Sequence, residues 1–140
     1  MARERKKIYQ SAYPQNPPEW YWVKGLHDAC IVGVETIEFP FDYGKYTEQK
    51  NEYTRNALIF KVNSKGAMFD FHVKEIRFYN YKILSKEVDL TGRKKIWWLE
   101  DKLTEENGNY ILEITLEDTN STPEQFSFKV KFERAEVDRT

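Results

Sequence analysis

Hydrophobic and polar positions alternate with a period of two along most of the chain. The run QFSFKVKFER at residues 125–134 is the clearest: Phe126, Phe128, Val130 and Phe132 share one parity, and Ser127, Lys129, Lys131 and Glu133 share the other. NYILEITLED at 109–118 and NALIFKVN at 56–63 follow the same pattern. Such alternation predicts antiparallel strands that have one face on a core and the other in water.

Three other stretches also indicate strands. CIVGVETIEF at 30–39 begins apolar on both parities, which predicts a strand covered on two sides, and IWWLE at 96–100 is equally β-prone. The run 67–84 contains no Gly or Pro, and its apolar parity changes twice. We therefore expect one long strand bent by bulges, ahead of two strands with a tight turn near Lys74-Glu75, or a helix.

Together these segments predict an all-β fold. Asn107-Gly108 is a strong hairpin signal, and no segment has a convincing helical stripe. We expect an antiparallel β-sandwich or an open barrel of about six to eight strands. Residues 1–22 are polar and contain Pro14, Pro17 and Pro18, which predicts an extended N-terminal arm before a single β domain at 23–140.

The composition restricts the partners and the compartment. Twenty-two basic against 23 acidic residues give a net charge of −1, so there is no general electrostatic case for nucleic acid or an anionic membrane. The sequence has no apolar stretch long enough to cross a bilayer and no secretory signal, and we expect a cytoplasmic protein. A single cysteine excludes an internal disulfide framework and a multi-cysteine metal site.

His27, Asp28 and Cys30 lie within four positions in WVKGLHDACIVGVE. A nucleophilic cysteine would need a base within hydrogen-bond distance and a lowered pKa. A structural corner explains the same residues: Asp28 turns the chain into the strand and His27 bonds backbone groups. We expect the corner, and hence no catalytic residue; an enzyme that uses His27 with Cys30 or His72 is the alternative.

Metal chemistry has a weaker basis in the sequence. His27, Asp28, Asp70 and His72 could form a set of two imidazoles and two carboxylates, but they lack motif spacing, and we expect no metal and no cofactor. The adjacent acids Glu100-Asp101, Glu105-Glu106 and Glu117-Asp118 are expected in or beside solvated turns rather than paired across a cleft.

Aromatic residues make up 16% of the chain, more than one core needs. Trp20-Tyr21-Trp22 is expected to pack over one sheet face as a second small core, and Trp97 and Trp98 should point to opposite faces of their strand. The long connection from Pro40 to Arg55 carries further tyrosines, and long connections are often functional. The predicted binding residues are Tyr43, Tyr46, Tyr53, Trp97 and Trp98.

The stretch GLHDACIVGVE resembles the strand start of a loose group of small bacterial proteins, at Leu26, His27, Asp28, Ala29 and Val32. The group is mostly uncharacterised, and some members are similar to immunity proteins that bind and block a cognate toxin. A final FSFKVKFERAEV-like strand extends the similarity. The resemblance implies a compact β fold without demonstrated catalysis, and it assigns no functional residue.

The sequence therefore favours a non-enzymatic protein-binding module with an immunity-type role and a toxin-like protein partner. A carbohydrate-binding module is the second class, because exposed rings also suit sugars. A homodimer formed through an exposed edge strand or through Trp97 and Trp98 is a further alternative.

Overall fold

The computed structural model describes residues 7–10, 17–23, 25–38, 56–67, 72–85, 90, 95–118 and 124–139. Every regular element in these ranges is a β-strand, so the all-β prediction is confirmed. The strands are β1 (Lys7–Gln10), β2 (Ala29–Glu38), β3 (Asn56–Asn63), β4 (Val73–Tyr79), β5 (Lys82–Ile83), β6 (Ile96–Glu106), β7 (Asn109–Asp118), β8 (Glu124–Phe132) and β9 (Arg134–Arg139).

All the strands belong to one antiparallel sheet in the order β5-β8-β7-β6-β2-β3-β4-β9, with β1 paired to β6 off this path. The sheet is open, since its two end strands, β5 and β9, do not pair with each other. Each end strand continues a neighbour in sequence: β5 follows β4 after Asn80-Tyr81, and β9 follows β8 after Glu133. The Glu133 N–H donates to the Tyr79 carbonyl oxygen at 3.0 Å, so the β8–β9 bend and the β4–β5 bend lie side by side.

The sheet curls around a single core. The Phe60 ring on β3 lies 5.8 Å from the Phe128 ring on β8 and 6.4 Å from the Trp98 ring on β6, measured between centroids. Phe78 on β4 and Phe132 on β8 are 4.8 Å apart. Side chains from strands far apart in the sheet order therefore meet inside. One continuous sheet around one core is the open-barrel alternative, because a sandwich would pack two separate sheets.

The local patterns explain most of the strands. In β8, Phe128, Val130 and Phe132 are buried while the intervening residues are exposed, as the alternation predicts. Asn107 and Gly108 both have positive φ, 52° and 79°, which is the two-residue hairpin turn expected between β6 and β7.

The changes of apolar parity in the sequence of residues 67–84 have two structural causes in the described part of that run. A bulge interrupts the β4–β9 register between Val73 and Glu75, and the chain bends at Asn80, whose φ is 53°. Lys74-Glu75 lies inside β4, so the alternative with a tight turn at this point is wrong. Phe69 and Phe71, which also entered that prediction, lie outside the described residues.

The segment before β2 belongs to the main core. Tyr21 and Trp22 are 2% and 0% exposed and join the same buried cluster as Trp98 and Phe132. The expectation of a second small core is therefore wrong: the rings complete the central one. Within the described ranges there is no helix with the length and hydropathy of a membrane span.

Candidate functional site

The most unusual polar site lies where two strands share one edge of β6. β2 pairs with Ile96–Trp98 of β6, and β1 pairs with Lys102–Glu105 farther along the same strand. Between them, a bulge in β6 relative to β7 falls between Trp98 and Glu100. One extra residue shifts the alternation, because side chains change face at every position. Trp98 and Asp101 consequently both face the core, at 0% and 8% exposure.

Asp101 accepts hydrogen bonds from three aromatic side chains. Its Oδ2 accepts from the indole Nε1–H of Trp22 at 2.8 Å and of Trp98 at 2.9 Å, and its Oδ1 accepts from the Tyr21 hydroxyl. The Trp22 and Trp98 rings are 5.3 Å apart and perpendicular. We call Asp101, Tyr21, Trp22 and Trp98 the Asp101 clasp.

The electrostatics of the clasp indicate a structural role. Burial raises the pKa of the Asp101 carboxyl, and the three hydrogen bonds oppose this rise by stabilising its charged form. Burial, and then the Asp101 charge, raise the pKa of Tyr21 far above its ordinary value, so its hydroxyl remains a donor. A carboxylate held by donors on three rings ties residues 21–22 to β6.

His27 and Asp28 form the corner at the start of β2. The His27 Nδ1–H donates to the Leu99 carbonyl oxygen in the bulge, and its Nε2 lies 3.6 Å from Asp28 Oδ2. Asp28 has a φ of 70°, which an aspartate tolerates better than most residues, and its N–H donates to the Trp98 carbonyl oxygen at 2.8 Å. Leu26 and Ala29, on either side, are fully buried. The structure thus places His27 and Asp28 in the turn that leads directly into the pairing of β2 with β6.

Cys30 lacks the surroundings of a nucleophile. It pairs in register with Trp97 on β6 and Asn63 on β3, and it is partly buried. Burial raises the pKa of its thiol, and Lys95 opposes this only in part. Within the described ranges no hydrogen bond joins His27 to Cys30: the imidazole bonds Leu99, and the thiol lies 3.7 Å from the Ile31 carbonyl oxygen.

The predicted binding residues separate into three groups. Tyr43, Tyr46 and Tyr53 lie outside the described residues. Trp98 has no exposed surface and donates to Asp101, so its prediction as a surface binding residue is wrong. Trp97 is 39% exposed, between Cys30 and Glu117 on the neighbouring strands, and faces away from the core.

Sequence reasoning missed Asp101, which was expected in or beside a solvated turn and instead lies within β6. The pattern contains a signal for it. Ile96 and Trp98 are apolar at even positions, whereas Leu103 is apolar at an odd one, and the change of parity requires an extra residue between them. With the bulge at Leu99, Asp101 takes the inward parity of Leu103.

A network of ion pairs covers the outer face of β4 and β9. The Arg77 guanidinium donates to Asp138 at 2.8 Å, to Glu136 at 3.0 Å and to Glu75. Glu75 also accepts from Lys61 on β3. The Lys61 hydrogen bond, more than that of Arg77, lowers the pKa of Glu75, and the Arg77 hydrogen bond lowers the pKa of Asp138.

No set of three or more His, Cys, Asp or Glu side chains in the described part of the chain is arranged to hold a metal ion. Of the four residues that the sequence offered as a conceivable ligand set, Asp70 lies outside that part, and His72 is exposed just before β4. The fold defines an all-β protein with one open sheet. No family model, no curated protein and no solved structure matches the chain.

Proposed function

We propose that the protein is a non-enzymatic protein-binding module and that Trp97 lies at the centre of its binding surface. The observation that carries this proposal is a tryptophan 39% exposed on a sheet rather than on a loop. Both neighbours of its strand are paired at this point, with Cys30 on β2 and Glu117 on β7, so its backbone is fixed. Tryptophan is among the residue types that contribute most to protein interfaces.

The surroundings of Trp97 have the composition of an interface. Val32, the unpaired residue at the bulge of β2, is 43% exposed and lies two residues from Cys30, the register partner of Trp97. Asn63 and Glu117 flank this apolar centre in the register. An apolar centre inside a polar rim is typical of protein–protein contact surfaces.

The residues that would perform chemistry have structural partners instead. Asp101 is held by the clasp, His27 bonds the backbone of Leu99, and the pKa of Cys30 is raised rather than lowered. A base or nucleophile must be free to reach a substrate. These contacts support binding over catalysis.

The concrete form of the proposal is an immunity-type role, in which the protein binds and blocks a toxin. The strand-start resemblance at Leu26–Val32 supports it. The buried Leu26 and Ala29 and the His27 and Asp28 contacts fit that motif as a fold-determining corner. The partner would then contact the surface beyond the motif, where Trp97 and Val32 are exposed.

A pull-down with paired variants tests the proposal. Tagged wild-type protein is exposed to the source lysate, and the captured partner is compared with that captured by Trp97→Ala. Ile37→Ala is the matched control, because Ile37 is equally exposed, at 41%, at the far end of β2. We expect Trp97→Ala to weaken partner binding at least tenfold and Ile37→Ala to leave it within twofold, since truncation at a hot spot costs about 2 kcal/mol or more.

Two outcomes would contradict the proposal. Equal retention of the partner by both variants would remove Trp97 from the interface. Loss of the partner in a triple alanine variant of Tyr43, Tyr46 and Tyr53, with Trp97→Ala unaffected, would move the binding surface to the Pro40–Arg55 connection.

A further inference from the structure

Three lysines lie together on the outer face of the sheet, where β5 pairs with β8. Lys129 and Lys131 are exposed and alternate with the buried residues of β8, so both point away from the core. Lys82 of β5 is the register partner of Lys131 and is also exposed. Directly opposite residues of an antiparallel pair share a face. We call Lys82, Lys129 and Lys131 the lysine patch.

The pairing of Lys82 with Lys131 is electrostatically unfavourable. The Cβ atoms of directly opposite residues lie about 4.5–5.5 Å apart, and like charges at these positions destabilise the strand pair. Protection of a sheet edge explains a lysine on an end strand such as β5. It does not explain Lys129 and Lys131, because β8 is paired on both sides, with β7 and β5. The arrangement therefore opposes stability and has no evident role in the fold.

The charges of the lysine patch are not neutralised by ion pairs. In the residues that the structure describes, no salt bridge reaches any of the three lysines. Glu113 of β7 is the register partner of Lys129, but the two side chains form no salt bridge. Glu133 follows Lys131 by two residues and accepts a hydrogen bond from the Asn80 side chain at 2.7 Å. The patch therefore keeps an excess of positive charge.

Unpaired charges are not a general property of this protein. On another part of the outer face, the Arg77 guanidinium is paired with carboxylates of both β4 and β9. The whole chain has a net charge of −1, so the patch is not a by-product of a basic composition. A local positive surface on a nearly neutral protein favours an anionic partner.

The geometry of the patch distinguishes among anionic partners. Proteins that bind single-stranded nucleic acid combine positive charge with exposed aromatic rings for base stacking. Among the described residues, the exposed large hydrophobic side chains are Val32, Ile37 and Trp97, and none of them lies on β5 or β8. Lys129 and Lys131 are two residues apart on one strand face, about 7 Å. Alternate side chains of an extended protein segment have the same spacing.

We propose that the lysine patch binds an extended acidic segment of a partner protein, with Asp or Glu at alternate positions. Its carboxylates would lie over the lysines and relieve the repulsion between Lys82 and Lys131. This inference goes beyond the proposed function and does not depend on it. The level of Trp97 in the ladder is reached on β8 at Gln125, four residues before Lys129, so the two surfaces are distinct.

The first test measures binding of a decapeptide of five Glu-Thr repeats through amide chemical shifts at low salt. We expect the shifts to change at residues 82–85 and 127–131, which carry and flank the patch. A Lys-Thr decapeptide is the control and should bind at least tenfold more weakly. Raising the salt to 0.3 M should weaken the acidic peptide, because exposed charges are screened.

Charge reversal tests the patch itself. Lys131→Glu should weaken the acidic peptide at least fivefold, because one attraction becomes a repulsion, and the new carboxylate can pair with Lys82 so that the fold is kept. Lys65→Glu makes the same change at an exposed position in the turn after β3 and should leave binding within twofold. Trp97→Ala should also leave it unchanged, which separates this surface from the proposed function.

Stability provides an independent test of the unfavourable pairing. Lys131→Gln removes the repulsion with Lys82, so the melting temperature at low salt should rise by about 1–4 °C while peptide binding weakens. Lys65→Gln is the control and should change neither quantity. A gain of stability together with a loss of binding is expected of a residue kept for binding and not for the fold.

Several results would overturn the inference. These are equal binding of the two peptides, no binding of either, chemical-shift changes outside β5 and β8, or a melting temperature that falls in Lys131→Gln. Tighter binding of a ten-nucleotide thymidine strand than of the acidic peptide would assign the patch to nucleic acid instead.

Discussion

At Asp101 one additional residue in β6 decides whether a carboxylate faces water or the core. Without the bulge at Leu99, strict alternation from Trp98 would turn Glu100 inward and Asp101 outward. With it, Asp101 meets the Trp22 and Trp98 indoles, and the freed Leu99 carbonyl oxygen accepts from His27. The same irregularity thus organises the clasp and the corner.

Replacing Asp101 by alanine should destabilise the protein by about 2–5 kcal/mol, because three buried donors would lose their acceptor. The measurement is urea unfolding, with the m-value checked for constancy. Glu100→Ala, the exposed neighbour, is the control and should change stability by about 0.5 kcal/mol or less. Equal effects of the two changes would contradict a structural role for the clasp.

Individual residues were predictable where their own chemistry sets the backbone. Asp28 tolerates positive φ and turns the chain, so the corner could be read from the sequence. Asp101 could not be read in this way, because its position depends on the register between β6 and β7. A long-range pairing, and not the residue itself, buries it.

Among the elements, β4 and β9 carry a network of opposite charges across their outer face, in addition to their backbone pairing. Glu75 and Asp138 have lowered folded-state pKa values through Lys61 and Arg77. A lowered pKa means that the folded protein binds these protons less tightly than the unfolded chain does. The stabilisation is therefore present above the ordinary carboxyl range, about pH 4, and is lost as the pH falls through the folded values.

The double variant Glu75→Gln, Asp138→Asn should lose stability at pH 7 and should unfold with a shallower dependence on acid. The effect is about 1 kcal/mol or less, because Asp138 is 44% exposed and solvent screens the pair. Melting temperature between pH 7 and pH 3 measures it, and 0.5 M salt should reduce the difference.

Glu124→Gln is the control. Parallel pH curves for the double variant and wild type would refute the assignment. The raised pKa of Asp101 has the opposite effect, because its contribution to stability falls as the pH rises. This contribution is the same in wild type, the double variant and the control.

Elements with clean alternation were predictable, and those that depend on bends were not. β7 and β8 follow from their period of two, and the β6–β7 turn follows from Asn107-Gly108. The break between β8 and β9 was not predicted, because Glu133 is neither Gly nor Pro and gives no local sign of a bend. The break at Glu133 lies opposite the bend at Asn80-Tyr81: β8 pairs with β7 and β5 before it, and β9 pairs with β4 after it.

For the whole molecule, the segment before β2 completes the core. Trp22 is fully buried against Trp98, and its indole donates to Asp101, so the segment contributes to global stability and not only to a surface. The sequence could show that these rings needed partners. It could not show that their partner is the carboxylate of Asp101, which lies 79 positions after Trp22, because a contact over such a distance along the chain leaves no local pattern.

Trp22→Ala should cost about 3–5 kcal/mol, through a large cavity and a lost hydrogen bond. Trp97→Ala makes the same chemical change at a side chain 39% exposed, and should cost about 1 kcal/mol or less. Urea unfolding of the two variants in parallel is the measurement. A small cost for Trp22→Ala would mean that the arm is dispensable for the fold.

The pairing of β4 with β9 also sets an order of events during synthesis. Asp138 is 61 positions beyond Arg77, so at ~5–20 residues per second the β3–β4 pair leaves the ribosome roughly 3–12 s before its final neighbour exists. During that interval β4 is an unprotected edge, open to pairing with other nascent chains. Lys74, Glu75 and Arg77 place alternating charges along it, which is the arrangement that discourages such pairing. Glu75 and Arg77, which later form the ion pairs with β9 and β3, thus also discourage pairing of β4 with other chains before β9 is synthesised.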